Sequence, residues 1–305
     1  MAAGGGTRVV IAALLGNSAI AVAKFVGFLI TGSSSMMAEA IHSVADSGNQ
    51  GLLLWGGRAA RREADDEHQF GYGRERFFWA FVVALVLFLV GSGFALYEGI
   101  EKIRHPHPID NAIVAYCILG FGIVAEGFAL RTAIVESRRV KRSDETWWQF
   151  VRGTRVPELA VVLLEDIGAM TGLVFAMVSV FIADTFDAPV WDGIGTLSIG
   201  ILLLVIAIVL IIEMRSMLLG EGARPDKMRA IRSAIENTEG VAGIVDLRTQ
   251  YFGPEELLVA GKVEFDPGLD TRTLAETIDA VERNVREIAP HARLTYIEPD
   301  LQREF

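Results

Sequence analysis

A histidine and an aspartate lie four residues apart within a mostly apolar stretch of this sequence. Because residues four apart meet on one face of a helix, His42 and Asp46 can act together. A second apolar stretch carries Glu165 and Asp166. Placing one aspartate at the centre of a membrane helix costs about 2.5–3.5 kcal/mol, so such residues indicate function. One imidazole and two carboxylates that converge would suit Zn²⁺, or Mn²⁺ or Fe²⁺.

These residues belong to a chain of 305 residues, of which 51% are hydrophobic. The hydrophobic residues concentrate in six stretches that approach the roughly 20 residues needed to cross a bilayer. We call them spans one to six, and they occupy 8–30, 35–57, 77–100, 112–135, 157–182 and 191–213. The sequence therefore predicts an α-helical membrane protein with a domain of six transmembrane helices over residues 1–219.

The Lys and Arg residues between the spans predict their orientation, because positive residues gather on the cytoplasmic side of membrane proteins. The connections after spans two and four hold most of them, namely Arg58, Arg61, Arg62, Arg74 and Arg76, and Arg138, Arg139, Lys141, Arg142, Arg152 and Arg155. We therefore expect both connections and both termini of this multi-pass membrane protein to be cytoplasmic. The bacterial inner or plasma membrane is the expected location.

In this orientation the candidate ligands reach similar depths in the bilayer. His42 and Asp46 lie roughly 10–16 Å from the outer end of span two, and Asp166 roughly 13 Å from the inner end of span five, by the rise of an α-helix. All three can meet near mid-membrane, where the small residues Gly168 and Gly172 would let spans two and five approach closely. The alternative is that these polar residues are buried hydrogen-bonding groups that fix helix packing.

Three further polar residues in the spans are weaker candidates for the metal site. Glu165 is adjacent to Asp166 and points about 100° away from it, so packing or proton handling competes with ligation. Glu126 in span four is a candidate proton relay or an interhelix hydrogen-bonding group. Asn49 continues the face of span two that carries the histidine.

The connection after span two contains a run of polar residues, Asp65, Asp66, Glu67 and His68. Such a cluster can bind a divalent cation weakly, with Asp65 and His68 as the candidate ligands. A solvated acidic loop is the alternative that we favour.

Residues 220–305 differ from the spans and predict a small cytoplasmic domain. Hydrophobic periodicity predicts helices over 226–238 and 271–288, with Thr271 as the cap of the second helix. Alternating patterns predict strands over 241–251, 256–265 and 293–298. The order αββαβ indicates an α+β sandwich, which we call the tail.

Composition and missing motifs exclude several classes of protein. The net charge of −10 disfavours a nucleic-acid partner. A single cysteine, Cys117, allows neither an intrachain disulfide nor a cysteine-based zinc site. The chain has no phosphate-binding G-x-x-x-x-G-K-[ST] motif, which disfavours ATP-driven pumping, and no H-E-x-x-H motif of a metalloprotease. We therefore expect no enzymatic activity.

The segment TGSSSMMAEAIHSVADSGNQ, followed by HQFGYGRERFFWAF, resembles the cation diffusion facilitator family of metal–proton antiporters. The segments LAVVLLEDIGAM and YFGPEELLVAGKVEF resemble one branch of that family. The resemblance implies that His42, Asp46 and Asp166 form the transport site and that the chain is a homodimer joined partly through the tail. Two positions depart from the family pattern. Val162 stands where many members have a fourth ligand, and Tyr72 where some have a second loop histidine.

Together these features predict a secondary transporter that exports a divalent cation from the cytoplasm in exchange for protons. Zinc is the first choice, with Mn²⁺, Fe²⁺ and Co²⁺ as other candidates, and no tightly bound cofactor is expected. Because metal ligands must be deprotonated, metal and protons would compete for one site. The alternatives are a non-transporting membrane metal sensor or scaffold and an intramembrane metalloenzyme.

Overall fold

The computed structural model describes residues 10–11, 14–19, 21–22, 25–26, 29, 34–106 and 112–301. Ten of the 23 residues of span one therefore lie outside the described residues. The other five spans are helices, at Ser34–Ala59, Glu75–Arg104, Ala112–Val140, Pro157–Thr185 and Val190–Leu219. Within span three, Leu87–Ser92 is a π-helical segment between the α-helices Glu75–Val86 and Gly93–Arg104.

Length and composition make four of the described helices able to cross a membrane, and they are spans three to six. Span two has 26 residues, enough to cross a bilayer, but it is less apolar because it carries the candidate ligands and their polar neighbours. The prediction of a helical membrane domain followed by an α+β tail is confirmed.

Glycines let several spans approach closely. A Cβ atom added at Gly99 of span three would lie 2.6 Å from the Leu197 backbone nitrogen of span six, and one at Gly200 of span six 2.8 Å from the Leu96 nitrogen of span three. The Gly168 and Gly172 pair of span five also faces span six, where Ile206 and Ile199 cover it. The expectation that this pair faces span two is therefore wrong, because bulky side chains of span six occupy the space over both glycines.

A short helix, Trp147–Gly153, precedes span five. Its first residue follows a capping box, in which the Thr146 hydroxyl accepts from the Gln149 backbone at 3.1 Å and the Gln149 side chain accepts from the Thr146 backbone at 2.8 Å. Span five then begins with Pro157, a residue that favours the first turn of a helix.

The tail has the predicted αββαβ order. Its helices are Pro225–Glu236 and Thr271–Ile288, and its strands are β1 (Val241–Gly253), β2 (Glu256–Phe265) and β3 (Leu294–Pro299). β2 is central, antiparallel to β1 and parallel to β3. Its alternation buries Leu257, Val259 and Val263 against Ile231, Ile235, Val281 and Val285 of the two helices.

The second tail helix is capped by Asp270 and not by Thr271. The Asp270 carboxylate accepts a hydrogen bond from the Thr273 backbone at 2.7 Å, and Thr271 is the first helical residue. By packing, the chain divides into two compact units, residues 1–59 with 75–215 and residues 60–74 with 216–305. The connection after span two thus packs with the tail.

Candidate metal centre

Four carboxylates from three spans line one cavity of about 230 Å³. They are Asp46 of span two, Glu126 of span four, and Glu165 and Asp166 of span five. Apolar side chains and glycines supply most of the remaining wall, namely Leu87, Ile118, Leu119, Gly122, Gly168, Ala169, Gly172, Leu173, Ala176, Ile199 and Leu203, together with Asn17. Like charges that share an apolar cavity repel one another, so this cavity is a candidate site for a cation.

Asp166 is a buried member of this group with an oxygen that lacks a hydrogen-bond donor. It is only 5% exposed, and no described residue donates a hydrogen bond to its buried Oδ2 atom. A buried carboxylate oxygen without a partner is costly. A cation or a proton that enters the cavity would supply that partner.

Glu165 is held differently, by side-chain amides of span two. Asn49 donates from Nδ2 to its Oε1 atom at 3.2 Å, and Gln50 donates from Nε2 to its Oε2 atom at 3.4 Å. Asn17 of span one in turn donates from Nδ2 to the Oε1 atom of Gln50 at 3.4 Å. We call Asn49, Gln50 and Glu165 the amide clamp, and it ties span two to span five.

The structure brings together part of the predicted site. Asp46 and Asp166 line the same cavity, joined there by the weaker candidates Glu126 and Glu165, while Asn49 belongs to the amide clamp. The side chain of His42 is not among the side chains that the structure describes. Among the described side chains, no three His, Cys, Asp or Glu residues form a group that could hold a metal ion. The ligand set therefore stays a prediction.

Val162, which stands where many family members have a fourth ligand, is closely packed. Val162 is 1% exposed and lies one helical turn before Asp166, on the same face of span five. An apolar side chain there can offer no ligand atom, so any further ligand would have to come from another position.

The candidate loop site is built around Asp65, which already has local partners. Its Oδ1 atom accepts from the His68 backbone at 2.7 Å, and its Oδ2 atom accepts from the Tyr72 hydroxyl at 2.7 Å. The Tyr72 hydrogen bond is the largest of the causes that lower the pKa of the Asp65 carboxyl. The Arg62 guanidinium lies 4.1 Å over the Tyr72 ring. These contacts support a loop structured by hydrogen bonds, and the metal site at Asp65 and His68 stays a prediction.

Sequence analysis missed three buried polar residues. Gln50 has no exposed surface, and Arg76 and Glu158 form a buried ion pair. The signal for Gln50 was a second amide beside Asn49 inside an apolar stretch. Arg76 was counted only as a base of the connection, because charge counting cannot show which base turns inward.

Two family models match the chain, one to each predicted part. The model described as cation efflux transmembrane domain matches residues 10–219, and the model described as cation efflux protein, cytoplasmic domain, matches residues 223–300.

Individual relatives are also similar to most of the chain. The proton-coupled zinc antiporter SLC30A9, mitochondrial, of Xenopus laevis is 33% identical over 284 residues, which cover 92% of this chain and 51% of that protein. The cation-efflux pump FieF of Escherichia fergusonii is 27% identical over 256 residues, covering 83% and 79%. A solved structure of MamM-CTD matches with a TM-score of 0.24 and 25% identity, covering 26% of this chain and 94% of that one. The chain spans about half the length of the SLC30A9 proteins that it matches.

Proposed function

The chain belongs to the cation efflux family, also called the cation diffusion facilitator family, and on that premise we propose that it exports a divalent cation, first of all Zn²⁺, in exchange for protons. One observation carries this proposal. Asp46 and Asp166 come from different spans, and both line a single cavity among the spans.

The chemistry of the cavity suits an exchange of metal for protons. A cation can be held only when the carboxylates are ionised and the imidazole of His42 is neutral, so metal and protons exclude each other from the site. Metal would displace protons when the cavity faces the cytoplasm, and protons would displace metal when it faces the other side. A rocking of the spans around a fixed midplane site would alternate the two.

Zinc is the first candidate because the proposed ligands combine one imidazole with carboxylates. The Xenopus laevis relative is named as a proton-coupled zinc antiporter, and this name supports the same cargo. Mn²⁺, Fe²⁺ and Co²⁺ accept oxygen and imidazole ligands as well, so they are the competitors to be measured beside zinc.

We also propose that the protein is a homodimer joined partly through the tail. The match of residues 223–300 to the cytoplasmic domain of cation efflux proteins supports this assembly. Sedimentation of the detergent-solubilised chain should give the mass of two copies, and a single copy at all concentrations would contradict it.

In the proposed orientation, the spans cross a bacterial inner membrane. The tail and the connections after spans two and four lie in the cytoplasm. Cys117 is replaced by alanine, and a single cysteine is introduced as Arg62→Cys or Arg139→Cys. An impermeant maleimide added to intact cells should label neither variant until the membrane is opened. Labelling of either variant in intact cells would reverse the orientation.

Metal flux in sealed vesicles tests the transport function directly. Purified protein is reconstituted into proteoliposomes, and the entry of Zn²⁺, Mn²⁺, Fe²⁺ and Co²⁺ is followed side by side with internal pH. We expect the fastest flux for zinc, accompanied by proton movement in the opposite direction. Metal binding without any flux would identify a sensor or scaffold instead.

A further inference from the structure

The cavity extends from the four carboxylates toward one end of the bundle. Spans four and six begin at that end, and span five ends there. Span four lines the cavity with Ile118, Leu119 and Gly122, span six with Ile199 and Leu203, and span five with Leu173 and Ala176 among others. Among the described residues, none before Glu165 on span five and none after Glu126 on span four lines the cavity. In the proposed orientation, the cavity therefore lies on the outer side of the carboxylates.

The opposite half of span five is packed among other residues. Every residue from Pro157 to Leu163 is buried, and Leu159, Ala160 and Val161 have no exposed surface at all. Gln50 and Leu53, near the same end of span two, are 0% and 2% exposed. Among the residues that the structure describes, the inner side of the carboxylates is thus closely packed.

A buried ion pair lies within this packed half. The Arg76 guanidinium of span three binds the Glu158 carboxylate of span five at two points, Nε to Oε1 at 2.5 Å and Nη2 to Oε2 at 2.8 Å. The two side chains are 9% and 4% exposed. Gly57 of span two adjoins them, since a Cβ atom there would lie 3.9 Å from Glu158 Oε1.

We propose that the Arg76–Glu158 ion pair is the inner gate, which joins spans three and five while the cavity faces outward and separates to admit the cation from the cytoplasm. This inference rests on the proposed transport function and orientation. Glu158 lies two helical turns before Asp166 on the same face of span five, roughly 12 Å away by the helical rise. A cation that approaches from inside therefore meets Glu158 first and competes there with Arg76.

Charge and burial together make this pair suited to a gate. A two-point pair between guanidinium and carboxylate is strong and directional, so it stabilises the closed arrangement. Removing one partner leaves the other charge buried and uncompensated. Such a variant should move toward the arrangement in which water reaches the remaining charge, namely the inward-open state.

Accessibility of Val162 reports on the gate without requiring transport. Val162→Cys is introduced together with Cys117→Ala, and an impermeant maleimide is applied to the cytoplasmic face of inside-out vesicles in metal-free buffer. Labelling should be slow while Arg76 and Glu158 are intact, because position 162 is 1% exposed in the closed arrangement.

Glu158→Gln should raise the labelling rate at least about tenfold. This is the change expected when the weakly populated inward-open state is stabilised by about 1.4 kcal/mol relative to the closed state. Arg76→Gln should do the same, and it serves if Glu158→Gln does not fold. The charge-reversed double variant, Arg76→Glu with Glu158→Arg, should return the rate toward that of the parent.

A second ion pair of the same bundle is the matched control. Arg152 binds Glu213 of span six at 3.0 Å, but the Arg152 side chain is 59% exposed. Glu213→Gln should leave the labelling rate unchanged. Equal rates in the parent, Glu158→Gln and Arg76→Gln would overturn the gate, and so would a reversed double variant that labels as fast as the single variants.

The gate and the transport function can be refuted independently of each other. Zinc flux in the wild-type chain with an unchanged labelling rate in Glu158→Gln would refute the gate and retain the transporter. The predicted labelling pattern without any metal flux would refute the transporter and leave the ion pair as a gate to the cavity.

Discussion

Asn49 of span two donates its side-chain amide to the Oε1 atom of Glu165 on span five, across 3.2 Å. The contact joins the two helices that carry the proposed ligands, because Asp46 lies three residues before Asn49 and Asp166 follows Glu165 directly. Both oxygens of Glu165 are occupied by amides, which supports a positioning role for this carboxylate. The amide clamp would therefore set the spacing between the ligands of spans two and five.

Asn49→Ala removes one donor of the clamp and leaves a Glu165 oxygen without it. We expect the free energy of unfolding in detergent to fall by about 1–2 kcal/mol, the upper range for interhelical hydrogen bonds in membrane proteins. Zinc affinity, measured by calorimetry, should fall as well, because the ligand helices lose their spacing.

Asn284→Ala is the control for this change. Asn284 donates to the Thr238 hydroxyl within the tail at 2.9 Å, so its loss should leave zinc affinity intact. An unfolding midpoint and a zinc affinity both unchanged in Asn49→Ala would show that the clamp does not position the site.

Glu126→Gln removes a cavity carboxylate that belongs to span four, away from the helices that carry the proposed ligands. We expect the zinc dissociation constant to stay nearly unchanged and the pH dependence of flux to change, becoming shallower because the cavity loses one proton-binding group. Calorimetry and flux between pH 5 and 9 measure the two quantities. Glu276→Gln, at an exposed position of the tail, is the control. A large loss of affinity would make Glu126 a ligand instead, and no change in either quantity would leave it as a packing residue.

Periodicity and charge predicted much of the architecture. The tail order αββαβ and the helices at spans two to six follow from patterns that each segment carries in its own sequence. The four cavity carboxylates were also identified as candidates from the sequence, because acidic residues are rare inside membrane spans. Local patterns do not name the partner of a side chain, however. They could not show that Glu165 accepts amides from span two or that Gly168 faces span six.

The packing of the connection after span two was equally hidden. Phe70 stacks on Phe252 of β1 with ring centroids 4.8 Å apart, and the Arg74 guanidinium lies 4.8 Å from the centroid of the same ring. A sequence pattern predicts a polar loop there, and only the tertiary structure shows that aromatic residues anchor it to the tail.

Phe252→Ala should release this connection, because one ring supplies both contacts and an aromatic pair contributes about 0.5–1.5 kcal/mol. Limited trypsin digestion of the full chain should then cut faster at Arg61, Arg62 and Arg74. Tyr296→Ala removes an exposed aromatic ring from β3 of the same tail and should leave the digestion unchanged. Equal digestion of the wild type and Phe252→Ala would mean that the stacked ring does not hold the connection.

Asp270→Ala tests the cap of the second tail helix. Hydrogen bonds from the Thr273 backbone hold the pKa of the Asp270 carboxyl below its ordinary value of 3.8. A lowered folded-state pKa gives stability that is present above pH 3.8 and is lost as the pH falls through the folded pKa.

At neutral pH, hydrogen exchange in the first turn of Thr271–Ile288 should therefore be faster in Asp270→Ala than in the wild type, and the difference should vanish in acid. Asp279→Ala, at an exposed position within the same helix, is the control. A difference that persists unchanged in acid would exclude the ionised carboxylate as its cause.

Asp46 is proposed to take part in exchanging metal for protons, and zinc flux driven by a pH gradient is the decisive measurement of that role. Wild type, Asp46→Ala and the control Asp246→Ala, whose tail carboxylate pairs with the exposed Arg248, are reconstituted into proteoliposomes that contain a zinc indicator. We expect gradient-dependent zinc entry for the wild type and for Asp246→Ala, and background entry for Asp46→Ala at equal protein incorporation. Zinc entry through Asp46→Ala at the wild-type rate would exclude Asp46 from the transport site, and wild-type entry that does not depend on the gradient would exclude proton exchange.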